Sequence, residues 1–180
     1  VPEVQTKTER WHAEFLEDLD LSFRAQLVVA NYLAWNGWSV VIPGFHRSPT
    51  REQAGAFKDK GDLFVKRPNG TWGRVEVRRI GMGGRGKGVP FTFTGPHDFG
   101  PPGRLYDAVR VMKRATFDEM RPRPWRVVCV SNDLAAAAVI DVNRTFRSWH
   151  LFEIPDAVTG GVRPEYMCPI HEARWVDLRI

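Results

Sequence analysis

The chain has 180 residues, 43% of them hydrophobic, and a formal net charge of +5 from 26 Lys and Arg against 21 Asp and Glu. These values suit a single core-bearing domain over 1–180 and exclude a low-complexity or disordered chain. Two cysteines make no disulfide framework, and with no long apolar run and no signal peptide the sequence predicts a soluble cytoplasmic protein.

The first predicted element is a helix over 8–36. Trp11, Phe15 and Leu19 recur at helical spacing, as do Phe23, Leu27, Ala30 and Ala34. Asp18 or Asp20 is a candidate start for a second helix within this span. Gly37 closes it, and "WSVVIP" at 38–43 reads as a strand. "GDLFVKR" from Gly61 is a second strand. "PNG" at 68–70 is turn chemistry, which makes "TWGRVEVRRI" its hairpin partner. Residues 81–88, "GMGGRGKG", carry the glycine and lysine spacing of a phosphate-cradling loop. Gly88 stands where that loop needs a hydroxyl, and "VPFTFT" follows instead of a helix, so a nucleotide site is rejected. Arg85 and Lys87 at the tip then read as contacts to a nucleic-acid backbone, the alternative being a plain connection. "TGPHDFGPPG" is a second loop. An amphipathic helix is expected over 104–120, with Leu105, Ala108, Val109, Met112 and Ala115 inward. "WRVVCVSND" is a strong fourth strand, "AAAAVIDV" leads to a fifth, and short strands and loops follow Trp149. Cys129 reads as a core residue. Cys168 and His171 have a metal-like gap with no second pair to complete a zinc site.

Arginine greatly outnumbers lysine, and guanidinium forks suit phosphate oxygens. A polyanionic partner is one reading of this charge; a surface kept soluble by it is the other. On the third strand Glu76 and Arg78 are two apart and share a face, with Val75 and Val77 on the other. Asp62 opens the neighbouring strand, where its carboxylate can approach Glu76 across the hairpin. Two close carboxylates repel unless a cation lies between them, and a hard divalent ion held by oxygens would serve. Such an ion would activate a water, and a nearby cation would stabilise charge developing on a phosphate. Solvated hairpin charges are the alternative.

Helix, "WSVVIP", "GDLFV", turn, "VEVRR", helix, "WRVVCVS" resembles the core of the PD-(D/E)XK nuclease superfamily, the restriction-endonuclease-like fold. The resemblance extends to small phage-type members and covers most of 21–142, leaving 143–180 as an extension. It implies an α/β fold with a central mixed sheet flanked by helices, and metal-dependent hydrolysis of DNA phosphodiester bonds. Asp62 matches the family's aspartate and Glu76 the glutamate of its Glu-x-Lys motif, with Arg78 in the lysine's place. Gln26 holds the place of a helix glutamate. The resemblance implies Mg2+ or Mn2+ on Asp62, Glu76 and the Val77 carbonyl. Lys60 is a candidate displaced lysine, roughly 7 Å along the strand from Asp62. Lys60 and Arg79, with Arg85 and Lys87, are the expected nucleic-acid contacts. Tyr32, His97 and Asp98 are further candidates, the last two equally suited to shaping their loop. The implied partner is duplex or branched DNA, with a homodimer as the candidate assembly. Arg78 cannot act as a base. With Gln26 it favours a second reading, the same fold kept as a non-catalytic DNA-binding or assembly module.

Overall fold

The computed structural model describes residues 7–43, 63–80, 91–155 and 160–179, with side chains from residue 20 onward in the first helix. In chain order the elements are α1 (Lys7–Trp35), β1 (Ser39–Val41), β2 (Leu63–Lys66), β3 (Trp72–Arg79), β4 (Ala108–Lys113) and α2 (Arg114–Glu119). Then come β5 (Arg126–Val130), β6 (Ala136–Asp141), α3 (Val142–Thr145), β7 (His150–Pro155), β8 (Val162–Pro169) and β9 (Arg174–Asp177). The first helix is continuous through Asp18 and Asp20. It stops where the sequence says it should. Gly37 has φ +81°, its N–H donates to the Ala34 carbonyl at 2.9 Å, and that of Trp38 donates to Leu33 at 3.1 Å. This is the left-handed glycine closure that satisfies the last helical carbonyls.

The strands form a six-stranded sheet in the order β1-β2-β3-β5-β6-β9 and a three-stranded sheet in the order β4-β8-β7. The architecture is a mixed α/β fold with a central sheet flanked by helices. In the large sheet only β3 and β5 run parallel. The predicted hairpin is present: β2 and β3 pair with Leu63 opposite Val75, and Gly70 turns the chain at φ +86°.

Strand alternation divides the core between the two faces of the large sheet. Ala25, Val29 and Leu33 of α1 pack on Leu63, Val65, Val75, Val77, Val128 and Val139. On the other face Val127, Cys129, Ala138 and Ile140 meet Val109, Val111 and Phe117 from the crossover between β3 and β5. Covered on both faces, β5 and β6 are almost continuously buried, which explains their unbroken apolar runs.

The helix expected over 104–120 is corrected. Residues 108–113 form β4, and only Arg114–Glu119 is helical. The apolar spacing fits a helix, but Leu105 is 65% exposed and Ala115 is also exposed. Val109 and Val111, two apart, instead point together into the core, and a bulge between Arg110 and Met112 turns Met112 inward as well. β-Branched side chains at alternate positions fit a pleated surface better than a helix here. Among the described residues no helix is long and apolar enough to cross a membrane.

The loop "TGPHDFG" is built around Asp98. Its carboxylate accepts from the Thr94 and Gly95 N–H groups and from the Thr94 hydroxyl, each at 2.9 Å. His97 lies within the same turn, 3.5 Å from that hydroxyl. The turn sets Phe93 and Phe99 edge to face with Trp175. Burial works against ionisation of Asp98, but the hydrogen bonds from Gly95 and Thr94 outweigh it and hold the carboxyl below its ordinary range. Asp98→Ala should cost about 1–2 kcal/mol, the scale for losing a charged acceptor of backbone N–H groups. Because the folded value is depressed, this contribution is present above the ordinary carboxylate pKa of about 4 and is lost as pH falls through the folded value. Denaturant titrations of parent and variant should therefore converge below about pH 4. A gap independent of pH would assign the loop's stability elsewhere.

Candidate functional site

β3 carries the charged face that the sequence singles out. Val75 and Val77 sit in the core beneath α1, so Arg74, Glu76 and Arg78 leave the strand on the opposite face. Glu76 stands opposite Val127 on β5, and Arg78 opposite Cys129. The carboxylate of Glu76 accepts from Arg74 Nη2 at 2.8 Å. The side chains are 13% and 19% exposed, so the pair is largely shielded from water. Arg78 Nη1 donates to the Val111 carbonyl of β4, which ties the large sheet to the small one. Arg79 Nη2 donates to Asn132, at 2.5 Å to its side-chain oxygen and 3.2 Å to its carbonyl.

Each of these bonds has a local cause. Residues two apart on one strand face lie within reach of a long guanidinium, so Arg74 and Glu76 meet without help from another element. The parallel pairing of β3 with β5 brings the turn after β5 beside Arg79. The bulge in β4 interrupts its pairing with β8 between Arg110 and Met112, the stretch whose Val111 carbonyl accepts from Arg78. The buried Nε atoms of Arg74 and Arg79 have no hydrogen-bond partner among the described residues.

Gln26 is buried at 6% exposure in α1, beside Ala25 and Val29. It thus belongs to the helical layer, while Glu76 and Arg78 face the other way. Tyr32 lies on the same helix, half-buried. Asp62, Lys60, Arg85 and Lys87 lie outside the described residues.

The expected Mg2+ or Mn2+ centre is corrected. Among the described residues no group of three or more His, Cys, Asp or Glu side chains is placed to hold a metal ion. Glu76, the expected carboxylate ligand that is described, is engaged in an ion pair with Arg74. The Val77 side chain packs in the core under α1. Cys168, which the sequence spaces from His171 like a metal ligand, lies on β8. It is fully buried, and burial pushes its thiol up to about 11. Burial likewise pushes the Cys129 thiol up to about 12, as suits a core residue.

Sequence reading missed Arg74. It lies two residues before Glu76, and the same alternation that paired Glu76 with Arg78 places Arg74 on that face. No protein-family model, no curated protein and no solved structure matches this chain.

Proposed function

We propose that this chain is a non-catalytic DNA-binding module on a restriction-endonuclease-like core. The observation that carries the reading is how the β3 charges are employed. Glu76 is neutralised by Arg74, and Arg78 is anchored on a backbone carbonyl between the two sheets. A group meant to stabilise a reacting phosphate must be free to meet it; here the charged strand serves the architecture. The helix running into β1 and the β2–β3 hairpin support the core assignment, as does the Glu76-x-Arg78 position on its third strand. The net charge of +5, carried mostly by arginine, supports a phosphate-rich partner.

Equilibrium binding to several unrelated DNA duplexes tests this. Phosphate contacts carry no sequence information, so the affinities should be alike. They should fall roughly tenfold or more between about 50 and 200 mM salt, because releasing counterions into a saltier solution gains less free energy. Absence of binding at the lower salt would overturn the reading.

A further inference from the structure

A separate group of cations lies on the α1 face of the large sheet, where β5 begins. Trp38 follows α1, Arg67 follows β2, Trp125 precedes β5, Arg126 opens β5 and Arg174 opens β9. The Arg67 guanidinium lies over Trp125, 4.4 Å from the ring centroid, and over Trp38 at 5.7 Å. Arg126 lies over Trp38 at 4.7 Å. Trp125 can lie against β3 because residue 73 is glycine: a Cβ there would fall 1.9 Å from the indole. Arg126 shares its sheet face with Val128, and Arg174 with Val176, by strand alternation. The two arginines border a shallow depression that Tyr32, Val128 and Val139 also line.

These arginines differ in what they touch from the ion-paired arginines elsewhere in the fold. Arg110 and Arg163 are paired with Glu165, Arg114 with Asp118, and Arg179 with Asp177. Among the described residues, no ion pair or guanidinium hydrogen bond engages Arg67, Arg126 or Arg174; the first two are fixed by ring stacking instead. Stacking on an indole holds the plane of a guanidinium and leaves its N–H edge free. Burial, and then Arg174 and Arg67, hold the Arg126 guanidinium below its ordinary range, while Asp141 and Tyr32 work against them. Arg67 and Arg174 thus repel Arg126, with Asp141 opposing them, and a bound anion would relieve that repulsion.

We propose that Arg67 and Arg126, held by Trp38 and Trp125, form with Arg174 the surface that receives nucleic-acid phosphates. This rests on the DNA-binding reading above and gives it a location, on the side of the sheet away from Glu76 and Arg78. The shared chemistry is the phosphodiester backbone, which duplex and single-stranded DNA both offer. Fixed forks facing neighbouring phosphates make charge-assisted bonds at low entropic cost.

The test is fluorescence-anisotropy titration of a labelled duplex and a labelled single strand across a salt series. Arg67→Gln with Arg126→Gln should weaken binding roughly tenfold or more. It should also reduce the salt slope by about one per lost contact. The control removes two charges elsewhere, at exposed Arg104 and Arg147, by Arg104→Gln with Arg147→Gln, and should leave the slope unchanged. Arg174→Gln, at an exposed residue, removes one contact without disturbing the stack and should lower the slope by about one. Loss on the duplex alone, or on the strand alone, identifies which source of phosphate the surface takes. If the parent binds and the cluster variants match the control, the location is wrong while the DNA-binding reading stands. If the parent binds neither probe, both fall.

Discussion

Phe117→Ala should lower the stability of this protein by about 3–5 kcal/mol, the range for deleting a buried aromatic ring. Phe117 is fully buried and is the sole buried residue of α2. Its ring lies 5.4 Å from Phe146, 5.3 Å from Trp149 and 5.4 Å from Tyr166, measured between centroids. Arg123 covers it from 5.1 Å. The helix has only six residues, too short to be stable without a tertiary anchor. Alanine would therefore leave a cavity and also release α2 from the small sheet. Urea denaturation of parent and variant measures the difference. A loss under about 1 kcal/mol would mean that the three remaining rings close over the gap.

Arg110→Ala should cost about 3 kcal/mol, the lower end of the range for breaking a buried ion pair. Glu165 of β8 is fully buried, and its carboxylate takes both Nε and Nη2 of Arg110, the latter at 2.5 Å. Arg163 Nε gives a further bond at 2.8 Å. Removing Arg110 leaves a desolvated carboxylate with one of these two arginines. The stranded charge, not the packing, makes the loss large. Arg110→Met with Glu165→Leu should then recover most of the stability, since apolar replacement of a whole buried pair is often neutral. Thermal denaturation of the two variants decides the matter. A cost near that of an exposed pair, below about 1 kcal/mol, would show that Arg163 suffices alone.

What was legible in the sequence was local. Gly37 after a helical pattern, "PNG" between two alternating runs, and the Val-rich stretch after Trp125 each fix structure over a few residues. β4 was not legible, because Val109 and Met112 fit a helical stripe as well as a bulged strand. Only the small sheet, built from β8 and β7 far along the chain, decides between them. Arg110 meets Glu165 across 55 positions, and no local signal announces that. The charged face of β3 was legible as a face, but its chemistry was not. Arg74 was overlooked beside Glu76, and the carbonyl that anchors Arg78 belongs to the strand read as a helix. The stack of Arg67 and Arg126 on Trp38 and Trp125 draws on three separate segments, so no spacing rule could have found it.

On the proposed reading the β3 charges serve the fold, and the protein binds DNA without cutting it. Supercoiled plasmid incubated with the parent and with Glu76→Gln, with Mg2+ and with Mn2+, tests this most directly when binding and strand breakage are recorded on the same samples. Salt-sensitive binding by both proteins and intact plasmid throughout are the expected results. Nicking or linearisation by the parent that disappears in Glu76→Gln would contradict it.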